Sequence, residues 1–319
     1  MSGVVAAEST TFRTPSSWDR LMRATLRVRQ QYRYSYMSPI HELRQRLMML
    51  PRDTHDGQRL LNSALLVDGA ESVRTLSQSD RFGNVVHHVS SPLVKEAVAF
   101  TAEFTVERSV ATTPARVPDD GSAAQYRART ALTAPSSRIR DAAREITERL
   151  AAVPLDALVA EVLPNGARHL DATGIRLWAA AQYGGAWAAD AITYEFGTTG
   201  VQTPAAMALH LGRGVCQDFA HLAIAVLREL GVAVRYVSGH LLGEGAPHAW
   251  IESLLPDPDV PGLLRVVAYD PTHRASTGLN YITVAVGRDY SDIAPTSGTF
   301  QGAIGQFSTL KQAWIVDLE

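Results

Sequence analysis

The chain has 319 residues, 46% hydrophobic and 19% charged. That is enough apolar material for a full globular core, in a chain too long for one ordinary compact domain. Thirty Lys and Arg stand against thirty-two Asp and Glu, a net charge of −2, which excludes a basic field for nucleic acid or anionic lipid. A single cysteine excludes an internal disulfide. With no secretory-type leader and no apolar run of about eighteen residues, the expectation is a soluble, cytoplasmic protein in a reducing context, without nucleic-acid or membrane partners.

Residues 1–20, rich in Ser, Thr and Ala, read as a tail. Residues 21–110 read as a β-sandwich-like N-terminal domain. ATLRVRQQYRYSY and AVAFTAEFTVERS alternate apolar and polar positions, while Asp-Gly in NSALLVDG and Gly-Asn in DRFGNVVHHVS supply turns. Residues 111–124, ATTPARVPDDGSAA, carry prolines and Asp-Asp-Gly with little apolar content, the composition of a linker. From 125 to 319 the chain reads as one α+β core. SSRIRDAAREITERLAAV (136–153) predicts a helix with Ser at its N-cap, and LDALVAEVLP and GIRLWAAAQYGGAWAADAI continue the helical character. CQDFAHLAIAVLREL (216–230) predicts an amphipathic helix stopped by Gly231. VAVRYVSGHLL, HAWIESLL, LLRVVAYD and NYITVAVG then predict four strands of an antiparallel meander.

The only cysteine, Cys216, opens the predicted helix directly after Gly212 and Gly214. A lone cysteine on an apolar helix is commonly a packed small hydrophobe. At a helix N-terminus, however, free backbone N–H groups face the sulfur, favour a thiolate and offer donors to an oxyanion. A thiolate nucleophile needs a base and a group to orient that base. His248, on the second predicted strand, and Asp270, ending the third before Pro271, are the candidates, because neighbouring strands of a meander bring their side chains together.

The blocks GVCQDFAH, RYVSGH, HAWIE, AYDPTH and NYITVAVGRDYSDIAP, in this order, resemble the core of the bacterial transglutaminase-like family. YRYSY, LPR and DRFGN resemble the β-rich region that precedes that core in bacteria, so the resemblance spans roughly residues 22–310. It implies a papain-like or transglutaminase-like core, with Cys216 as nucleophile, His248 as base and Asp270 as orienting group. It further implies thiol-dependent amide chemistry through a thioester on a peptide or other amide substrate. Peptidase or amidase action leads; amine transfer and a non-catalytic peptide-binding cleft are the alternatives. Tyr194 matches an aromatic upstream of the cysteine in the family, and His240 stands where the family often has an aromatic. With Gln217 and Trp250, these are the candidate substrate-binding or oxyanion residues.

Asp218, in the first helical turn, reads as structural, since a carboxylate is favoured there by the dipole but opposes thiol ionisation. His221 reads as a packed or supporting group. No cofactor is implied, and no metal-ligand motif is present: HExxH, CxxC and the EF-hand loop are missing, and His87 and His88, adjacent on a strand, face opposite sides. The GRG at 212–214 lacks the GK[ST] ending of a phosphate loop.

Overall fold

The computed structural model describes Trp18 and residues 21–110, 114–163 and 165–319. Apart from Trp18, the expected tail over 1–20 is thus almost wholly outside the described residues. So are 111–113 of the expected linker.

The N-terminal region consists of β1 (Arg23–Ser35), β2 (Ile40–Leu47), β3 (Thr54–His55), β4 (Gln58–Glu71), β5 (Arg74–Ser79) and β6 (Val85–Ser109). β6 is the spine. Its C-terminal half pairs with β1 on one edge and β4 on the other, and its N-terminal half with β2 and β5. β1 buries every second residue from Ala24 to Tyr32, the period-2 pattern read from sequence. The α+β class holds. In place of two separately laddered sheets, however, the β region forms one eight-stranded antiparallel ladder, because the long β6 serves both halves.

Next come β7 (Arg116–Pro118), α1 (Ser137–Ala152), α2 (Leu155–Val162), α3 (Ala172–Ala191), β8 (Thr193–Tyr194), α4 (Ala205–Leu211), β9 (Arg213–Gly214) and α5 (Cys216–Glu229). α1 has Ser136 as its N-cap, the hydroxyl accepting from the Ile139 N–H. α3 is capped likewise by Asp171. β10 (Ala233–Leu241), β11 (His248–Pro256), β12 (Leu263–Tyr269) and β13 (Tyr281–Gly287) follow. With β7 they form an antiparallel sheet ordered β13-β10-β11-β12-β7. α5 is buried along nearly its whole length, packed against α1, α3 and α4 and against β10 and β11. Every residue of β10 is buried, its two faces belonging to two different apolar clusters.

Two segments differ from the sequence-based division. The stretch expected as a linker contributes an edge strand, since β7 pairs with β12, and its Ala123 joins the smaller apolar cluster. The last two strands, β14 (Thr296–Gln301) and β15 (Gln306–Leu318), leave the core and pair with β2 and β1. A strand pattern states that a segment pairs; it does not name the partner.

The two sheets are bound by side chains acting as strand surrogates. β13 is the edge of its sheet, and the Gln58 amide both donates to Thr283 O (2.8 Å) and accepts from Thr283 N–H (2.9 Å). Asn84 does the same with Val286, at 2.7 and 2.9 Å. An exposed edge is thereby closed. Beside it, buried Glu252 accepts from Arg235 Nε (2.5 Å) and pairs with His55 Nε2 (2.7 Å). Among the described residues, no helix is long and apolar enough to cross a membrane.

Candidate active site

The approach to Cys216 is shaped by two glycines with different tasks. Gly212 ends α4 in the left-handed conformation, at φ 68°. At Gly214 a Cβ would lie 2.6 Å from the Asp218 carboxylate, so only glycine leaves room for what that carboxylate does. Asp218 Oδ2 accepts from the Val215 N–H (2.8 Å) and from the Thr199 hydroxyl (2.6 Å), closing the first turn of α5 back onto its N-cap. Burial raises its pKa, with these hydrogen bonds opposing. Cys216, half-buried, is the first residue of α5, its amide among the first-turn N–H groups with no intrahelical acceptor.

His248 opens β11, opposite Gly239 of β10. It is 2% exposed, and its Nε2 lies 2.7 Å from Asp270 Oδ2. Burial works to lower the His248 pKa, but the hydrogen bond to Asp270, with Cys216 and Glu244 close by, outweighs it and pushes the value up to about 12. The imidazole therefore stands between the carboxylate of Asp270 and the sulfur of Cys216. Its other nitrogen, Nδ1, lies 3.1 Å from Glu244 Oε2, without hydrogen-bond alignment.

Asp270 is fully buried and lies just after β12. Its Oδ2 accepts from His248 Nε2, from His273 Nδ1 (2.8 Å) and from the Tyr281 hydroxyl (2.8 Å). Its Oδ1 accepts from the Thr272 and His273 N–H groups at 2.8 and 3.3 Å. Burial alone would raise this carboxyl, yet the hydrogen bond and charge of His248 and the hydrogen bonds from His273 and Tyr281 hold it down at about 2. The loop that supplies three of the five donors is folded back by a backbone pairing of Asp270 with Ala275 and by Arg274 in the left-handed region, at φ 56°.

The four remaining candidates separate. Tyr194 lies beside the site: β8 pairs in parallel with β9 just ahead of Cys216, and the ring is 55% exposed. Gln217 is next to Cys216, and one N–H of its side-chain amide donates to Val201 O (3.2 Å). Trp250 does not wall a cleft. It is 1% exposed, stacks behind His248 at 6.2 Å and meets Tyr281 edge-on at 5.4 Å, so it backs the imidazole. His240 is not a pocket edge either. It is buried between the two sheets against Phe104, where burial and Lys311 hold its pKa well below normal. Both corrections share one cause: β10 and β11 are covered on both faces, so alternation along them does not lead to solvent. His221 is buried and accepts from the Tyr290 N–H (3.2 Å).

Sequence reasoning missed Glu244, His273 and Tyr281. His273 and Tyr281 lie inside the blocks AYDPTH and NYITVAVG, yet nothing in their spacing says that both point at one carboxylate oxygen. Lys311 of β15 was also missed. Its buried ammonium donates to Leu241 O (3.1 Å) and Ala246 O (2.9 Å), holding the β10–β11 turn that carries Glu244 and leads into His248.

Residues 26–107 match the bacterial transglutaminase-like N-terminal region, and residues 172–259 match the transglutaminase-like superfamily core. The chain belongs to the bacterial transglutaminase-like family. The core match contains Cys216 and His248 and stops short of Asp270. This transglutaminase-like protein is 44% identical over 126 residues to an uncharacterized Mycobacterium leprae protein, covering 36% of the chain and 42% of the relative. It is 40% identical over 117 residues to one from Mycobacterium bovis, covering 33% and 37%. The matched segments thus span under half the length of these curated relatives. Its fold is similar to that of a candidate cysteine protease from Cytophaga hutchinsonii, with TM-score 0.65, 16% identity, and 93% and 92% of the two chains covered. The family is one of thiol-dependent enzymes.

Proposed function

We propose that the protein is a thiol-dependent amidase or peptidase acting on peptide-like amides through a Cys216–His248–Asp270 triad. The observation that carries this reading is the 2.7 Å contact of His248 Nε2 with the fully buried Asp270, on an imidazole that has Cys216, at a helix N-terminus, close to it.

In this reading the Cys216 proton passes to His248 Nδ1, since Nε2 is engaged with Asp270. The thiolate attacks the amide carbonyl, and the carbonyl oxygen takes up the negative charge beside the Cys216 N–H. On collapse, Nδ1 returns its proton to the departing amine and a thioester remains. Water, deprotonated by the same nitrogen, then releases the acid. Hydrolysis is favoured over amine transfer by the open mouth of the site, where half-exposed Tyr194 and Glu244, 35% exposed as a side chain, leave water access to the thioester.

The test is iodoacetamide labelling against pH, followed by mass analysis of a glutamine-containing peptide library with and without a primary amine. Rapid labelling of the folded protein at neutral pH, lost in His248→Ala, together with backbone cleavage or a deamidation shift, supports the proposal. Amine incorporation would move it to acyl transfer, and a thiol that labels only in denaturant would sink it.

A further inference from the structure

Asp270 orients two imidazoles at once. Its Oδ2 accepts from His248 Nε2 and from His273 Nδ1, at 2.7 and 2.8 Å. Each ring therefore spends one nitrogen on the carboxylate, and the remaining ones, His248 Nδ1 and His273 Nε2, converge on Glu244. The separations are 3.1 Å to Oε2 and 3.4 Å to Oε1. One ligating atom from each of the three residues lies within 4.8 Å of the others. His248 Nδ1 is buried and, among the described residues, has no aligned hydrogen-bond partner.

Two imidazole nitrogens and a carboxylate facing one another call for a cation between them. A proton on His248 Nδ1 is one such cation. The donor set is also that of a borderline divalent metal, two nitrogens and one oxygen, with the Cys216 sulfur beside the ring. Tetrahedral ligands about 2.0–2.1 Å from Zn²⁺ lie about 3.3–3.4 Å apart, close to the two separations observed. The support behind the ligands is in place as well, since a carboxylate on the far nitrogen fixes each imidazole's tautomer and raises its basicity. Here a single buried aspartate does so for both rings.

We propose that Glu244, His248 and His273 form a reversible inhibitory site for a divalent metal ion of the Zn²⁺ class. The ion takes the place of the proton on His248 Nδ1, and that proton leaves to solvent. Metal and catalysis then compete for one nitrogen atom. The inhibitory half of the proposal rests on the function proposed above; metal binding itself does not.

The test uses the full chain with Zn²⁺ and a chromophoric chelator in competition. One Zn²⁺ per chain is expected, and Glu244→Gln and His273→Asn should each weaken it by at least about tenfold, as loss of even a supporting partner does. His169→Ala, which removes an exposed histidine outside the cluster, should leave the affinity unchanged. Zn²⁺ should slow iodoacetamide labelling of Cys216 by at least about tenfold in the unmodified chain, reversibly with EDTA, and much less in Glu244→Gln. Mg²⁺, which prefers oxygen ligands, should do nothing. Equal Zn²⁺ affinity in the unmodified chain and both variants would overturn the site. Fast neutral-pH labelling that Zn²⁺ leaves untouched would overturn its inhibitory role while keeping the enzyme reading. One bound Zn²⁺, lost in both variants, on a protein whose thiol is inert would keep the metal site and sink the enzyme reading.

Discussion

Replacing Asp270 by Asn removes one charge while keeping the size of the side chain, and its effect on His248 follows from the site. Three donors meet on Oδ2 and two on Oδ1. An amide offers an acceptor on one side only, so either orientation turns an NH₂ toward at least two donors. The charge lost is the nearest counter-ion of the imidazolium, at 2.7 Å between N and O. With charge centres roughly 4 Å apart and an effective dielectric of about 20, the pair is worth about 4 kcal/mol, or about 3 pKa units. The His248 pKa, held at about 12 with Asp270 in place, should fall by about that amount in Asp270→Asn. The assay is a pH titration of ¹⁵N-histidine-labelled protein, following the ring nitrogens by NMR. A His248 that titrates near the ordinary imidazole value of about 6.5 in the unmodified protein would refute the reasoning, as would one unmoved by Asp270→Asn. The same pair sets a stability window. The raised His248 contributes stability that is complete below the unfolded imidazole value and is lost as pH climbs toward about 12. The depressed Asp270 contributes stability that is complete above the unfolded carboxyl value and is lost as pH falls toward about 2. Both contributions are whole only between roughly pH 4 and 6.5.

Two further perturbations probe the support of the site. Glu252→Ala leaves Arg235 and His55 buried without their shared counter-charge, and should cost about 3–5 kcal/mol in urea unfolding; a loss under about 1 kcal/mol would show that the network does not bind the two sheets. Burial alone would raise the Glu252 pKa, but Arg235 and His55 outweigh it and hold the carboxyl below its ordinary value, so this contribution is present above the unfolded carboxyl value and lost only under acid. Gly239→Ala would set a Cβ 2.0 Å from Ile282 O and 2.6 Å from the Trp250 ring. It should destabilise by about 3 kcal/mol and slow Cys216 labelling through the displaced ring behind His248, whereas a variant of unchanged melting temperature and labelling rate would contradict the packing.

What could be read from the sequence is what depends on neighbours along the chain. The helix over 216–229 follows from its apolar period and Gly231, and its first residue from Gly212 and Gly214, which let the chain turn sharply into it. The apolar runs between Gly-, Pro- and Asp-containing turns predict the four strands β10 to β13 within a residue or two at most ends. The placement of Cys216, His248 and Asp270 on consecutive elements of a meander was enough to suggest that they meet.

What depends on contacts between distant segments was decided only by the tertiary structure. Alternation in β14 and β15 does not say that they pair with β2 and β1 instead of the core sheet, nor does the Pro-rich stretch before residue 119 announce β7. Trp250 and His240 look like cleft residues because one face of a strand usually meets solvent, and here both faces are covered. His273, Tyr281 and Glu244 approach the triad from a loop, a strand and a turn, with no common spacing to mark them. The chain encodes which residues can form a helix, a strand or a turn through forces that act over a few positions. The sharing of one Asp270 oxygen by two imidazoles and a phenol is set by packing among β11, β12 and β13, and no local pattern carries that information.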